Sequence, residues 1–153
     1  MLSAEVGGAA ELGELGKRLR GADKVYRKEL RIGLNRATKP LKEQVKSELP
    51  VFLPAGYAKV MRKALKPKTV VRTGGLASVR IVASAKGRHK NRDVRALDKG
   101  TLRHPLWGNR DFWYAQKVRA GFWSEPMRDG RARVRAEVMD VIRTVNRRIV
   151  GGS

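Results

Sequence analysis

Apolar residues recur at Leu12, Leu15, Leu19, Ala22, Tyr26, Leu30, Leu34, Ala37, Leu41, Val45 and Leu49, in steps of three and four. A mean step of about 3.7 is close to the helical period, and Lys, Arg and Glu fill most intervening positions. The pattern predicts one long amphipathic helix over roughly 10–48. Pro40 predicts a kink or break inside it, and Gly16, Gly21 and Gly33 weaken it further. Such a helix is not stable alone and must lay its stripe on a sheet or a second subunit. Leu-Pro-Val-Phe-Leu-Pro-Ala-Gly (49–56) redirects the chain, and 55–65 read as a short basic helix stopped by Pro67.

The period then changes to two. Lys68–Thr73 and Leu76–Ser84 flank Gly74-Gly75, which predicts a β-hairpin with a turn that needs positive φ. Val79, Ile81 and Ala83 alternate with Arg80, Val82 and Ser84, so one face is expected to be buried. Residues 85–92 are a basic loop, and 93–98 are expected as a short third strand. Residues 100–123 hold all three tryptophans and two of the three phenylalanines, in no clear period. Ser124, with Glu125 and Pro126 behind it, starts a helix whose apolar face is Val134, Val138, Val141, Ile142, Val145 and Ile149. Gly151-Gly152 ends it. The expected class is α+β: a small antiparallel sheet, a hairpin plus one or two short strands, packed by a long N-terminal helix and a C-terminal helix. Residues 1–11, rich in Gly and Ala, are expected as a flexible arm, 12–150 as one domain and 151–153 as a flexible tail.

Charge sharpens this picture. The 153 residues carry 35 Lys and Arg against 14 Asp and Glu, a net charge of +21. Residues 49–92 hold 11 basic side chains and no acidic one. Nucleic acid, an acidic protein surface or an anionic membrane would each complement such a chain. No run approaches the roughly 18 apolar residues of a membrane span, and no secretory signal is legible at the N-terminus. There are no cysteines, which removes disulfides and thiolate chemistry.

Little catalytic chemistry is available. His89 and His104 lack metal-ligand spacing, and no phosphate-cradling glycine loop is present. Asp93, Asp98 and Asp111 sit among arginines, where ion pairing is the plain expectation. The chain reads as a non-enzyme without metal or cofactor. Arg72, Arg80, Lys86, Arg88, Lys90 and Arg92 form a candidate surface for DNA or another polyanion, with a merely solvated loop as the other reading. The aromatics can complete a core or anchor a subunit contact, and a mixture is expected.

Certain segments resemble a known family. Pro50–Leu65 (PVFLPAGYAKVMRKAL) follows a long helix, and Lys99-Gly100-Thr101, His104-Pro105-Leu106-Trp107-Gly108-Asn109-Arg110 and Gly121-Phe122-Trp123 come later. In that order they resemble the head–tail joining proteins, or neck and tail-completion proteins, of long-tailed double-stranded DNA phages. The resemblance covers about residues 12–148 in order of elements. It implies a structural virion protein with no catalytic residues, assembled in the host cytoplasm. It also implies a homo-oligomeric ring, sixfold in the family, between a head-completion or stopper protein and a tail terminator or tail tube. Double-stranded DNA would pass through the ring. Gly100, Thr101, Pro105, Trp107, Gly108, Phe112, Trp113, Phe122 and Trp123 are then candidate subunit contacts. The alternative is a stand-alone basic nucleic-acid-binding protein, marked by steep salt dependence.

If the basic loop faces DNA, replacing Lys86, Arg88, Lys90 and Arg92 by Ser is expected to abolish DNA retention in assembled particles. Unchanged packaging and infectivity would remove the loop from the channel.

Overall fold

The computed structural model describes residues 1–87 and 93–152. Its elements are β1 (Leu2–Glu5), α1 (Ala9–Leu19), α2 (Lys24–Phe52), α3 (Ala55–Ala64), β2 (Lys68–Arg72), β3 (Ser78–Ala83), a one-turn α4 (Val94–Asp98), β4 (Thr101–Leu106), β5 (Asn109–Lys117) and α5 (Ser124–Gly151). The class is α+β. An antiparallel sheet in the order β1-β3-β2 is separate from a two-stranded β4–β5 sheet. No helix among the described residues is long and apolar enough to cross a membrane.

The apolar stripe is helical, but two helices share it. The break falls at Arg20–Asp23 and not at Pro40. Asp23 caps α2 by accepting the Val25 N–H at 3.0 Å, and the Arg27 guanidinium closes the end of α1 by donating to the Leu19 carbonyl at 2.9 and 3.2 Å. These caps favour a corner at Gly21. Pro40 lies on the exposed side, where one lost backbone bond is outweighed by burial of Leu34, Ala37, Leu41 and Val45 across the helix.

α2 and α5 lie antiparallel over 29 and 28 residues, about 40 Å each. Glycines allow the close approach. A Cβ on Gly33 would lie 2.6 Å from Val141 Cγ1, and one on Gly130 would lie 2.6 Å from Leu41 Cδ1. Arg148 pairs with Glu29 across the far end of the contact.

The first eleven residues are not a flexible arm. β1 pairs with β3 from Leu2↔Ala83 to Glu5↔Arg80, and Leu2 and Val6 are buried. Gly7 and Gly8, at φ +98° and +76°, turn the strand into α1. The glycines that suggested looseness supply a tight corner. The Arg95 guanidinium donates to the Met1 carbonyl at 3.0 Å and ties the strand down further.

The hairpin of β2 and β3 is present, but the expected one-sided burial is not: besides Val79, Ile81 and Ala83, Ser78 and Val82 are buried, since β3 is the central strand between β1 and β2. Its connection runs from Thr73 to Ala77, and of its two glycines only Gly75 has positive φ, so it is no two-residue turn. The inner face meets α2, where Thr38 Oγ1 reaches Thr69 Oγ1 at 2.6 Å and the Leu34 carbonyl at 2.9 Å. The expected third strand at 93–98 is instead α4. The Asp93 carboxylate accepts the N–H groups of Arg95 and Ala96, and this cap overrides the β-preference of Val94.

α1 docks on the β2–β3 connection through Gly16, where an added Cβ would lie 2.2 Å from the Thr73 carbonyl oxygen. Gly16→Ala is therefore expected to lower stability by about 1–2 kcal/mol, overpacking exceeding the gain in helix propensity. Gly56→Ala, into open space on α3, is expected to raise it by about 0.5 kcal/mol. Guanidinium unfolding midpoints check the opposite signs.

Candidate functional site

β4 and β5 form an arm that leaves the core. Leu102 is buried at its root, and every residue of β5 is exposed. The strands meet from Thr101↔Lys117 to Pro105↔Trp113, and Leu106 faces Asn109 across the tip. Residues 110–112 bulge out of the ladder beside Pro105, which has no N–H to offer there. The bulge is stitched locally: Trp113 Nε1 donates to the Arg110 carbonyl at 2.8 Å, and the Asp111 N–H donates to Asn109 Oδ1 at 2.9 Å. His104 and Tyr114 meet edge to face at 5.5 Å across the strands.

The tip turn is Trp107-Gly108, with φ +49° and +78°, the signs of a type I′ turn. Glycine suits both positions, yet a tryptophan 96% exposed occupies the first. A left-handed non-glycine residue costs on the order of 1–3 kcal/mol, and no burial of the indole offsets it. Phe112, Trp113 and Tyr114 are each more than half exposed. A two-stranded hairpin is marginal by itself, and successive strand residues point to opposite faces, so Trp113 and Tyr114 leave aromatic area exposed on both sides of the arm.

The root of the arm is built firmly. The Asp98 carboxylate accepts the N–H groups of Trp123 and Ser124 at 2.8 and 3.1 Å, so it caps α5 from a distance. Ser124 was expected to be the cap but is already the first helical residue. Gly100, at φ +89°, and Gly121, at φ +99°, make the corners on either side. The Arg119 guanidinium lies 4.6 Å from the Phe52 ring centroid and pairs with Glu125 at 3.1 Å. A cleft of about 530 Å³ opens beside the root, with Tyr57 and Ala96 on one side and Arg103, Pro105 and Trp113 on the other.

The structure divides the aromatic candidates. Pro105, Trp107, Gly108, Phe112 and Trp113 belong to the arm. Phe122 and Trp123 do not face outward: both are core residues, 0% and 3% exposed, because they fill the space under the start of α5. Gly100 is a buried corner, and Thr101 is half-buried beside it. Asp93 and Asp98 are helix caps and, among the described residues, are in no arginine ion pair, since backbone N–H groups lie closer to hand.

The basic candidates do not form one described cluster. Arg72 sits at the turn end of the three-stranded sheet, Arg80 pairs with Glu5 at 3.7 Å, and Lys86 lies past the opposite end. Arg88, Lys90 and Arg92, with His89, lie outside the described residues. A different concentration of charge appears between α2, α3 and α5, where Lys46, Arg62 and Arg133 line a groove of about 500 Å³. The Lys46 ammonium is held below the usual lysine range, first by burial and then by the charges of Lys66 and Arg62. Lys42, one turn earlier, is lowered by burial, with Glu43 acting the other way, and donates to Thr69 Oγ1 at 3.0 Å. Only tertiary packing brings Lys46 to Arg62 and Arg133, so no spacing in the sequence announces the group.

Relief of strain at the arm tip is measurable. Trp107→Gly is expected to slow native-state hydrogen exchange of the β4–β5 amides about fivefold, the equivalent of roughly 1 kcal/mol. Faster exchange would mean that the indole supports the arm. No family model, curated protein or solved structure matches this chain.

Proposed function

We propose that this chain is a structural subunit of a phage neck. In this reading it forms a ring that joins the DNA-filled head connector to the tail and surrounds the DNA channel. The observation that carries it is the β4–β5 arm, with Trp107 held exposed in a left-handed conformation and Phe112, Trp113 and Tyr114 alongside. A ring uses a heterologous contact, in which one patch meets a different patch on the next copy. A projecting aromatic arm suits that geometry, since Trp and Tyr anchor interfaces by burying large rigid surfaces.

The resemblance noted above runs through this same segment, from Gly100 to Arg110. It supplies the neighbours: a stopper protein on the head side, a tail terminator or tail tube on the other, and double-stranded DNA in the lumen. The role is non-enzymatic, and the place is the assembled virion. The net charge of +21 suits a subunit that sits beside a polyanion.

Trp107→Gly combined with Phe112→Ser and Trp113→Ser leaves the core untouched. It is expected to abolish self-association in sedimentation velocity while the far-ultraviolet circular dichroism stays native. Virions carrying it are expected to appear in micrographs as filled heads and free tails. Normal particles, with a wild-type protein that stays monomeric and binds random DNA steeply with salt, would instead favour a stand-alone nucleic-acid-binding protein.

A further inference from the structure

We infer that the groove between α2, α3 and α5, walled by Lys46, Arg62 and Arg133 with Lys66 beside it, is a binding site for the phosphodiester backbone of duplex nucleic acid. It is separate from the aromatic arm and does not depend on the joint reading. A chain that never entered a particle would still carry it.

The first support is uncompensated charge. Among the described residues, none of these four side chains is in an ion pair. The one carboxylate in the groove, Glu43, lies 3.7 Å from Lys39 Nζ. Lys46 is partly buried, and its ammonium is disfavoured by burial and by the charges of Lys66 and Arg62. Cations in excess of that one carboxylate repel one another in the free protein, and an arriving polyanion relieves the repulsion.

The second support is shape and lining. The groove is open, of about 500 Å³, and its walls come from three helices, so it suits a linear polymer that lies along it. Among the described residues no aromatic side chain lines it, which speaks against a single strand with unstacked bases. Duplex DNA presents one phosphate charge per about 1.7 Å of axis, a density that several clustered cations match. The two arginines add forked donors suited to phosphate oxygens. Contact through phosphate oxygens carries no sequence information, so binding at this site is expected to be sequence-independent.

Two measurements test this on the purified full-length chain. The first is acetylation footprinting of the wild-type protein. A random 20-base-pair duplex is expected to protect Lys46 and Lys66 from amine acetylation at least fivefold, with Lys24 and Lys28 unchanged. Lack of protection overturns the site. Protection by polyglutamate but not by the duplex would assign the groove to an acidic protein and equally overturn it. The second compares Lys46→Gln/Arg62→Gln/Lys66→Gln with an equal-charge control, Lys24→Gln/Arg31→Gln/Arg36→Gln. The groove variant is expected to flatten the slope of log K against log salt by about 2.7, three contacts at roughly 0.9 each, and the control by less than one. It is also expected to melt higher than wild type at low salt, since repulsion is removed. Equal loss of binding in both variants would mean diffuse charge and no site.

Discussion

α2 and α5 approach closely because each carries a glycine where the other needs room, Gly33 beside Val141 and Gly130 beside Leu41. Neither helix is convincing alone, since both are heavily charged and interrupted by glycine or proline. Together they bury Leu30, Leu34, Leu41 and Val45 against Val134, Val138, Ile142 and Val145. The remaining elements take their positions from this pair. α1 packs on α5, the three-stranded sheet lies on α2 at Thr38 and Thr69, and the start of α5 fixes where the aromatic arm leaves the body.

The body and the two surfaces differ in how their polar groups are met. Inside, Thr38 is matched by Leu34 and Thr69, Asp98 by two N–H groups and the end of α1 by Arg27, while the buried Trp123 Nε1 has no partner among the described residues. Outside, the arm leaves aromatic area uncovered, and the α2–α3–α5 groove leaves cations unanswered. Binding can recover local costs of this kind, and the arm and the groove both carry them.

Much of the fold was legible in the sequence, and the failures have physical causes. The periods of 3.7 and 2 gave the helical stripe and the β2–β3 hairpin, because burial on one side imposes those spacings locally, but the one-sided burial expected of β3 fails because it is the central strand and Val82 is buried as well. The break between α1 and α2 was misplaced because Pro40 is a louder signal than the capping role of Asp23. β1 was missed because its four residues have meaning only beside β3, far along the chain. The arm was half legible. Its aromatic content stood out, but a tryptophan in a type I′ turn contradicts the usual turn chemistry and hid the hairpin. Phe122 and Trp123 looked like their neighbours, and only the packing under α5 separates them. The groove was invisible for the same reason, since its cations converge through tertiary contacts alone.

The arm is joined to the body at two points that are also joined to each other. Asp98 holds the first turn of α5 through its side chain and the Gly121 N–H through its backbone carbonyl at 2.8 Å, while Arg119 bridges Phe52 at the end of α2 and Glu125 at the start of α5. The arm extends about 20 Å from that junction, the span of the six residues of β4. A sideways load at Trp107 would therefore fall on a junction shared by the ends of both long helices, with the arm as a lever and the Asp98 junction as its fulcrum.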